Sequence, residues 1–568
     1  MPTSAPARVL ARLADLKARY GDGAARDKLD ALRALAPAKL STAVQVRALH
    51  EALCFLHAYP DDAEVFAQVD GMLQAFEARA DLRAHRHRLV DSGIAGTDIV
   101  YPFHAPTARW LARRWGERLA IEWEAVEHPA TLEGRLHLLA LWSESPGLDE
   151  PPLEGRAWLD RLRGRQSDAA FVIERCAAAP LTRPLSERFY DELGLTLRLS
   201  PARGTPSRTR ARFPRPRLAT RTAPFRRERP DLRRELRRPP RRIRAVGRRD
   251  AEVLIDLARE SMVTRSRDLY SFAAADPRDV RLVDCGHGLE LACIGVVPEF
   301  RLLLEAVYSF LLLQNGVPIG YALASALFRS SEVAYNVFES FRGGEAAHVY
   351  GRLLAAVRAL FGVDTFTVFP YQLGHENDEG LESGAWWFYY KLGFRPRDPK
   401  ALALARDEER RAARRPGYRT SLTKLRALVR ANVFLDPDEP RDNVIGAFPT
   451  GSVGLSITDA VAARFGSDRE LAAATCADEA ADRLGAGDWR RFRAGERLFW
   501  ERWAPLIGVL PGVERWTVAE KRALVDVVRA KGGHRESDYV ALFDGHARLQ
   551  AALLALTMTG TVPSLPDS

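Results

Sequence analysis

The sequence predicts an α+β protein of several packed regions, with one mixed α/β module between mainly helical flanks. Three observations predict it. At 568 residues the chain is too long for one hydrophobic core. Apolar residues recur at helical spacing towards both ends, whereas between residues 289 and 369 they form strand-like runs. Residues 201–250 then interrupt the chain with a basic, proline-studded stretch unlike either side. An apolar fraction of 46% and eleven Trp fit globular regions and exclude a disordered polymer.

Residues 1–200 read as helical. Val9, Leu10, Leu13 and Leu16, then Leu29, Leu32 and Leu35, and a run over 44–55 keep the helical period, with breaks near Pro60 and over 93–106. Residues 201–250 hold 19 Arg, no Lys and four acids, a local net charge of +15; against the chain's +10 this leaves −5 for the rest. Proline and like charge there predict an extended or disordered linker and a domain boundary. Weak nucleic-acid contact through its phosphate-binding arginines is one expectation, with only Phe213 and Phe225 available for stacking; a solvated spacer is the other.

Residues 251–400 change character. A helix over 251–262 precedes a strand over 289–296. The runs 307–314 and 317–327 flank Asn315-Gly316, which suits a type I′ hairpin because both central residues need positive φ. A strand over 333–338, a helix over 346–361, a strand over 365–369 and an aromatic helix over 381–392 follow. Residues 401–568 are again mainly helical, with a Pro/Gly/Asp loop over 436–454.

Five cysteines (Cys54, Cys176, Cys285, Cys293 and Cys476) form no CxxC pair and fit a reducing compartment. The N-terminus lacks a signal-peptide pattern, and the most apolar stretch, 302–313, carries Glu305 and falls short of the roughly 20 residues a span needs. A cytoplasmic protein without a membrane span is expected. His50, Cys54 and His57 share a helix face, but no fourth ligand stands nearby, so they read as packed core and no metal is expected.

The chemistry concentrates in two motifs. A strand enters a glycine-bearing turn and a helix at 335–347, which presents free N–H groups and a helix dipole to an anion. Further on stands Ala385-Trp386-Trp387-Phe388-Tyr389-Tyr390-Lys391-Leu392-Gly393-Phe394. Together with the order of elements, these motifs resemble the GNAT superfamily of acyl-CoA-dependent N-acyltransferases over about residues 250–400.

The resemblance implies acetyl-CoA or another acyl-CoA as co-substrate and an amine acceptor on a small molecule or protein. It implies a pyrophosphate loop from Arg342 through Gly343, Gly344, Glu345 and Ala346 to Ala347, with Arg342 and Ala347 at the motif's first and last positions. Val337 and Phe338 would line the pantetheine arm through their backbone. Tyr389 falls on the tyrosine that can protonate the departing thiolate. Two positions depart from the pattern: Glu345 stands where the loop has glycine, and Glu382 where the later motif has asparagine. For the base, Glu339 at the strand's end is the candidate, with Glu332, His348 and His375 as alternatives. A non-catalytic binding or scaffold protein of the same fold, with its helical flanks contacting partners, is the competing expectation.

Overall fold

The computed structural model describes residues 5–21, 23–126, 128–149, 155–214, 217–226, 228–342, 344–437 and 439–559. A nine-stranded mixed sheet organises its middle. The strands are β1 (Arg242–Ala245), β2 (Ala275–Gly286), β3 (Leu289–Val296), β4 (Ala306–Gln314), β5 (Val317–Leu327), β6 (Ser330–Val337), β7 (Thr365–Val368), β8 (Arg395–Pro396) and β9 (Val433–Leu435). They lie in the order β8-β9-β7-β6-β5-β4-β3-β2-β1. All neighbours are antiparallel except β6 and β7. The central strands are buried almost end to end, which is why β3, β4 and β5 read as continuous apolar runs rather than alternating ones.

Four helices frame the site: α1 (Ala43–Ala58), α2 (Leu232–Leu236), α3 (Ala346–Phe361) and α4 (Ala385–Lys391). Helix α3 is the crossover that makes the β6–β7 pair parallel, and it ends on Gly362 in the left-handed region. The aromatic helix expected over 381–392 is two helices instead. Gly384, at φ 72°, ends Asp378–Ser383 and α4 starts after it.

The hairpin forms as expected, with φ of 51° at Asn315 and 80° at Gly316. Its surroundings are not those of an ordinary turn, because the tip is buried. Asn315 has no exposed surface. Its Nδ2 donates to Ala58 O (2.8 Å) and Ala219 O (2.9 Å), and its Oδ1 accepts from Ala219 N (2.9 Å). Gly316 O accepts from Phe213 N (2.8 Å).

Residues 201–250 thus depart from the extended linker that the sequence predicts. They form a strap along the body, joined to it backbone to backbone by Arg208 N to Gly93 O, Arg221 N to Pro60 O and Arg241 N to Asp284 O. Phe213, Phe225, Leu232 and Leu236 are buried in the main core, so a few apolar anchors outweigh the repulsion among arginines that stay at the surface. Neither phenylalanine is presented for base stacking.

The boundaries shift accordingly. The sheet takes β1 from the strap and β9 from beyond residue 400. Residues 5–94 share one core with the sheet and the C-terminal helices, while 99–199 build a second core around a small three-stranded sheet. The C-terminal helices dock through buried charge. Lys531 Nζ pairs with Glu536 (2.6 Å), Arg301 donates to Lys531 O and Gly533 O (2.7 Å each), and Asp279 accepts from Tyr308 Oη and Glu536 N. No helix among the described residues is long and apolar enough to cross a membrane.

Asn315→Ala leaves the buried Ala58 O and the part-buried Ala219 groups without their partner, so we expect it to lower stability by about 1–3 kcal/mol. Gly316→Ala, whose Cβ would stand 2.0 Å from Phe213 O on a left-handed backbone, should destabilise at least as much. Urea-unfolding midpoints measure both, and an unchanged midpoint would show that the tip does not hold the strap.

Candidate functional site

The site lies where β6, α3 and α4 meet. Strand β6 is paired with β5 along its whole length, but with β7 only at Ser330, Ser331 and Glu332. Beyond Glu332 no strand pairs with that edge among the described residues, and Val333–Val337 run on towards the turn into α3 paired with β5 only.

The turn carries the residues that the sequence reading sets against an anion. Arg342 Nη2 pairs with Glu379 at 2.5 Å, and its Nε reaches Val337 O at 3.3 Å. Gly343 lies outside the described residues. Gly344 N donates to Phe341 O, and a Cβ at 344 would stand 3.5 Å from Tyr59 Oη. Ala346 O accepts from Tyr335 Oη (2.8 Å), and Ala347 packs against the core. Phe338 is buried under the Arg265 guanidinium, 3.7 Å from its ring centre.

Glu345 occupies the N-cap of α3, yet its side chain caps nothing in the helix. The carboxylate turns to the strap, accepting from Arg221 Nη2 (2.8 Å) and Arg226 N (2.8 Å). Burial raises its pKa, but the Arg226 N–H and the Arg221 guanidinium outweigh burial and hold it below the usual range. The first N–H groups of α3 therefore have no side-chain cap, and the charge expected to repel an anion is already neutralised.

Tyr389 is buried in an aromatic cluster, edge-on to Tyr350 (5.5 Å between ring centres) and Phe394 (5.7 Å). Burial raises its hydroxyl pKa, and the Glu332 charge adds to the shift. Tyr350 also stacks near Tyr335, and its Oη is buried without a partner among the described residues.

The acids separate. Glu339 sits in a single turn at the surface, its side chain 75% exposed and 3.8 Å from Arg47. No contact joins it to Tyr389 among the described residues. Glu332 is 8% exposed on β6, its carboxyl pushed up to about 8 by burial, with Glu305 adding to the rise. His348 donates to Glu228 O on the strap, and His375 lies in the loop before Asp378–Ser383. Sequence reasoning left Glu332 among the alternatives. The signal that favours it is an acid inside an otherwise apolar strand. Arg221 and Tyr350 carried no local signal, because their partners are distant in sequence. No group of three or more metal-ligating side chains occurs among the described residues.

Comparison with protein-family models, curated proteins and solved structures found no match for this chain.

The raised carboxyl of Glu332 has a consequence for stability. Its folded value lies above its unfolded one, so from the ordinary carboxylate range to about pH 8 the unfolded chain gives up the proton first. Rising pH therefore subtracts stability across that window, by up to about 1.4 kcal/mol per pH unit. Glu332→Gln should gain stability relative to the native chain between pH 5 and 8 in denaturant titrations. A difference that stays flat with pH would show the carboxyl is not held neutral.

Proposed function

We propose that the chain is an acyl-CoA-dependent N-acyltransferase resembling the GNAT superfamily over the sheet module. The observation that carries the proposal is the parting of β6 from β7 after three register positions, with an uncapped helix N-terminus directly beyond it. An extended arm of alternating amides can add to the free edge of Val333–Val337 as a further strand would. A pyrophosphate at its end would meet the first N–H groups of α3. The orphaned hydroxyl of Tyr350, buried between β6 and α4, also fits a ligand group entering there.

On this reading the acceptor amine attacks the acyl carbonyl, the N–C bond forms and the C–S bond breaks. Glu332 takes the amine proton and Tyr389 supplies one to the departing thiolate. Glu332 replaces Glu339 as base because its raised pKa suits proton transfer near neutral pH, whereas Glu339 is solvated. The acceptor is an amine of a small molecule or a protein. A second reading, a non-catalytic binding module, is favoured by the burial of Tyr389 and by the Arg342–Glu379 pair, which occupies the guanidinium expected at the phosphate.

Calorimetric titration with acetyl-CoA and turnover against a panel of amines separate the two. We expect micromolar binding, turnover rising with pH through about 8, and a loss of at least about 100-fold in kcat for Tyr389→Phe and Glu332→Gln with binding retained. Binding without turnover would favour the module, and no binding at millimolar concentration would remove the acyl-CoA reading.

A further inference from the structure

We infer that the concave surface between the strap and α3 is a binding site for a small polyphosphorylated molecule. Two cavities meet there. The inner one, of about 300 Å³, is lined by Arg221, Arg226, Arg238, His348 and Arg352 together with Glu345. The outer groove, of about 1000 Å³, is lined by Arg226, Arg229, Arg234, Arg237 and Arg238 with His348. They share Arg226, Arg238 and His348, so they form one continuous surface.

Its charge is only partly compensated, with Glu228, Asp231, Glu235 and Glu345 set against seven lining arginines. Earlier in the strap, Arg210 pairs with Glu77 and Arg221 with Glu345. The guanidinium groups of Arg226, Arg229, Arg234, Arg237 and Arg238 make no hydrogen bond or ion pair to any described residue. The nearby carboxylates are mostly engaged: Glu345 by Arg221, Glu235 by Arg352 at 3.4 Å, and Asp231 by the N–H groups of Arg233 and Arg234 that it caps. Glu228 and Asp231 are the carboxylates of the lining without a side-chain partner among the described residues. Arg352 Nε, in the inner cavity, is buried and also unpartnered.

The arrangement is held in place. Leu232 and Leu236 of α2 are buried against α3, where Gly351 lets Leu232 approach to 3.3 Å of the position a Cβ would take. Arg352 donates to Arg238 O (2.7 Å) and Pro239 O (3.1 Å), which fixes the backbone that follows α2. Guanidinium forks converging on a fixed backbone suit phosphate oxygens, and little ordering remains to oppose binding. The lining offers no exposed aromatic ring, since Tyr59 is 5% exposed, so a compact polyphosphate is favoured over a single-stranded nucleic acid. The groove borders the start of α3 and shares Glu345 and Arg221 with it, but Arg229, Arg234 and Arg237 lie on the strap side alone, whereas Ala346 and Tyr350 of the same helix contact Tyr335 of β6.

The test is calorimetric titration of the full chain with tripolyphosphate, ATP and a 12-nucleotide single-stranded RNA at low and physiological salt. We expect micromolar binding of tripolyphosphate and ATP that weakens with salt. Affinity should fall by at least about tenfold in Arg234→Gln/Arg237→Gln/Arg238→Gln and stay within about twofold in Arg233→Gln/Arg249→Gln, two exposed positions outside the groove, with unchanged thermal melting in both. Absence of binding at millimolar phosphate and low salt would overturn the inference, as would equal losses in the two variants. RNA bound more tightly than either small ligand would overturn it in favour of a nucleic-acid surface.

Discussion

The buried Asn315-Gly316 tip is the constraint on which the architecture depends. A hairpin end is normally a solvent-facing turn, yet here its one amide side chain serves three backbone groups, on α1 and on the strap. With Gly316 O receiving Phe213 N, the sheet, the N-terminal helices and the basic segment meet at two residues. No other residue pair fits as well. The turn needs positive φ twice, the first side chain must both donate and accept, and the second must leave room for a backbone oxygen.

From that junction the strap runs to α3 and changes what the turn there can do. A carboxylate at the start of an anion-binding helix would ordinarily repel a phosphate. The strap delivers Arg221 and the Arg226 N–H to Glu345, draws its charge aside and leaves the helix N-terminus uncapped. The same segment then lines its own groove with guanidinium groups that nothing else uses. One stretch of sequence thus supplies structure through its apolar anchors, local neutralisation through Arg221, and a cationic surface through Arg226, Arg229, Arg234, Arg237 and Arg238.

Local signals carried over to the structure and non-local ones did not. The hairpin and helix α3 were legible, because turn chemistry and helical periodicity are written in adjacent residues. Strand β2 was not, since Asp276, Arg278, Asp279, Arg281 and Asp284 break its apolar pattern, and two of these are buried through pairings that the pattern does not show: Asp279 with Tyr308 on β4, Asp276 with Arg278 beside it. The strap misled for the opposite reason. Its arginine and proline content described its surface, while Phe213, Phe225, Leu232 and Leu236 decided its position. At the site, Tyr389 was legible as a motif, but the ranking of Glu332 over Glu339 depends on burial, which spacing does not encode.

The central claim is that the strap makes the start of α3 fit for an anion by holding Glu345 aside. The most direct measurement is a double-mutant cycle of acetyl-CoA affinity by calorimetry over Arg221→Ala, Glu345→Gln and the combination. Freed from Arg221, the Glu345 carboxylate should weaken binding by about tenfold or more, and Glu345→Gln should restore it in the double variant. Affinity unchanged by Arg221→Ala, or a loss that Glu345→Gln does not recover, would contradict the account.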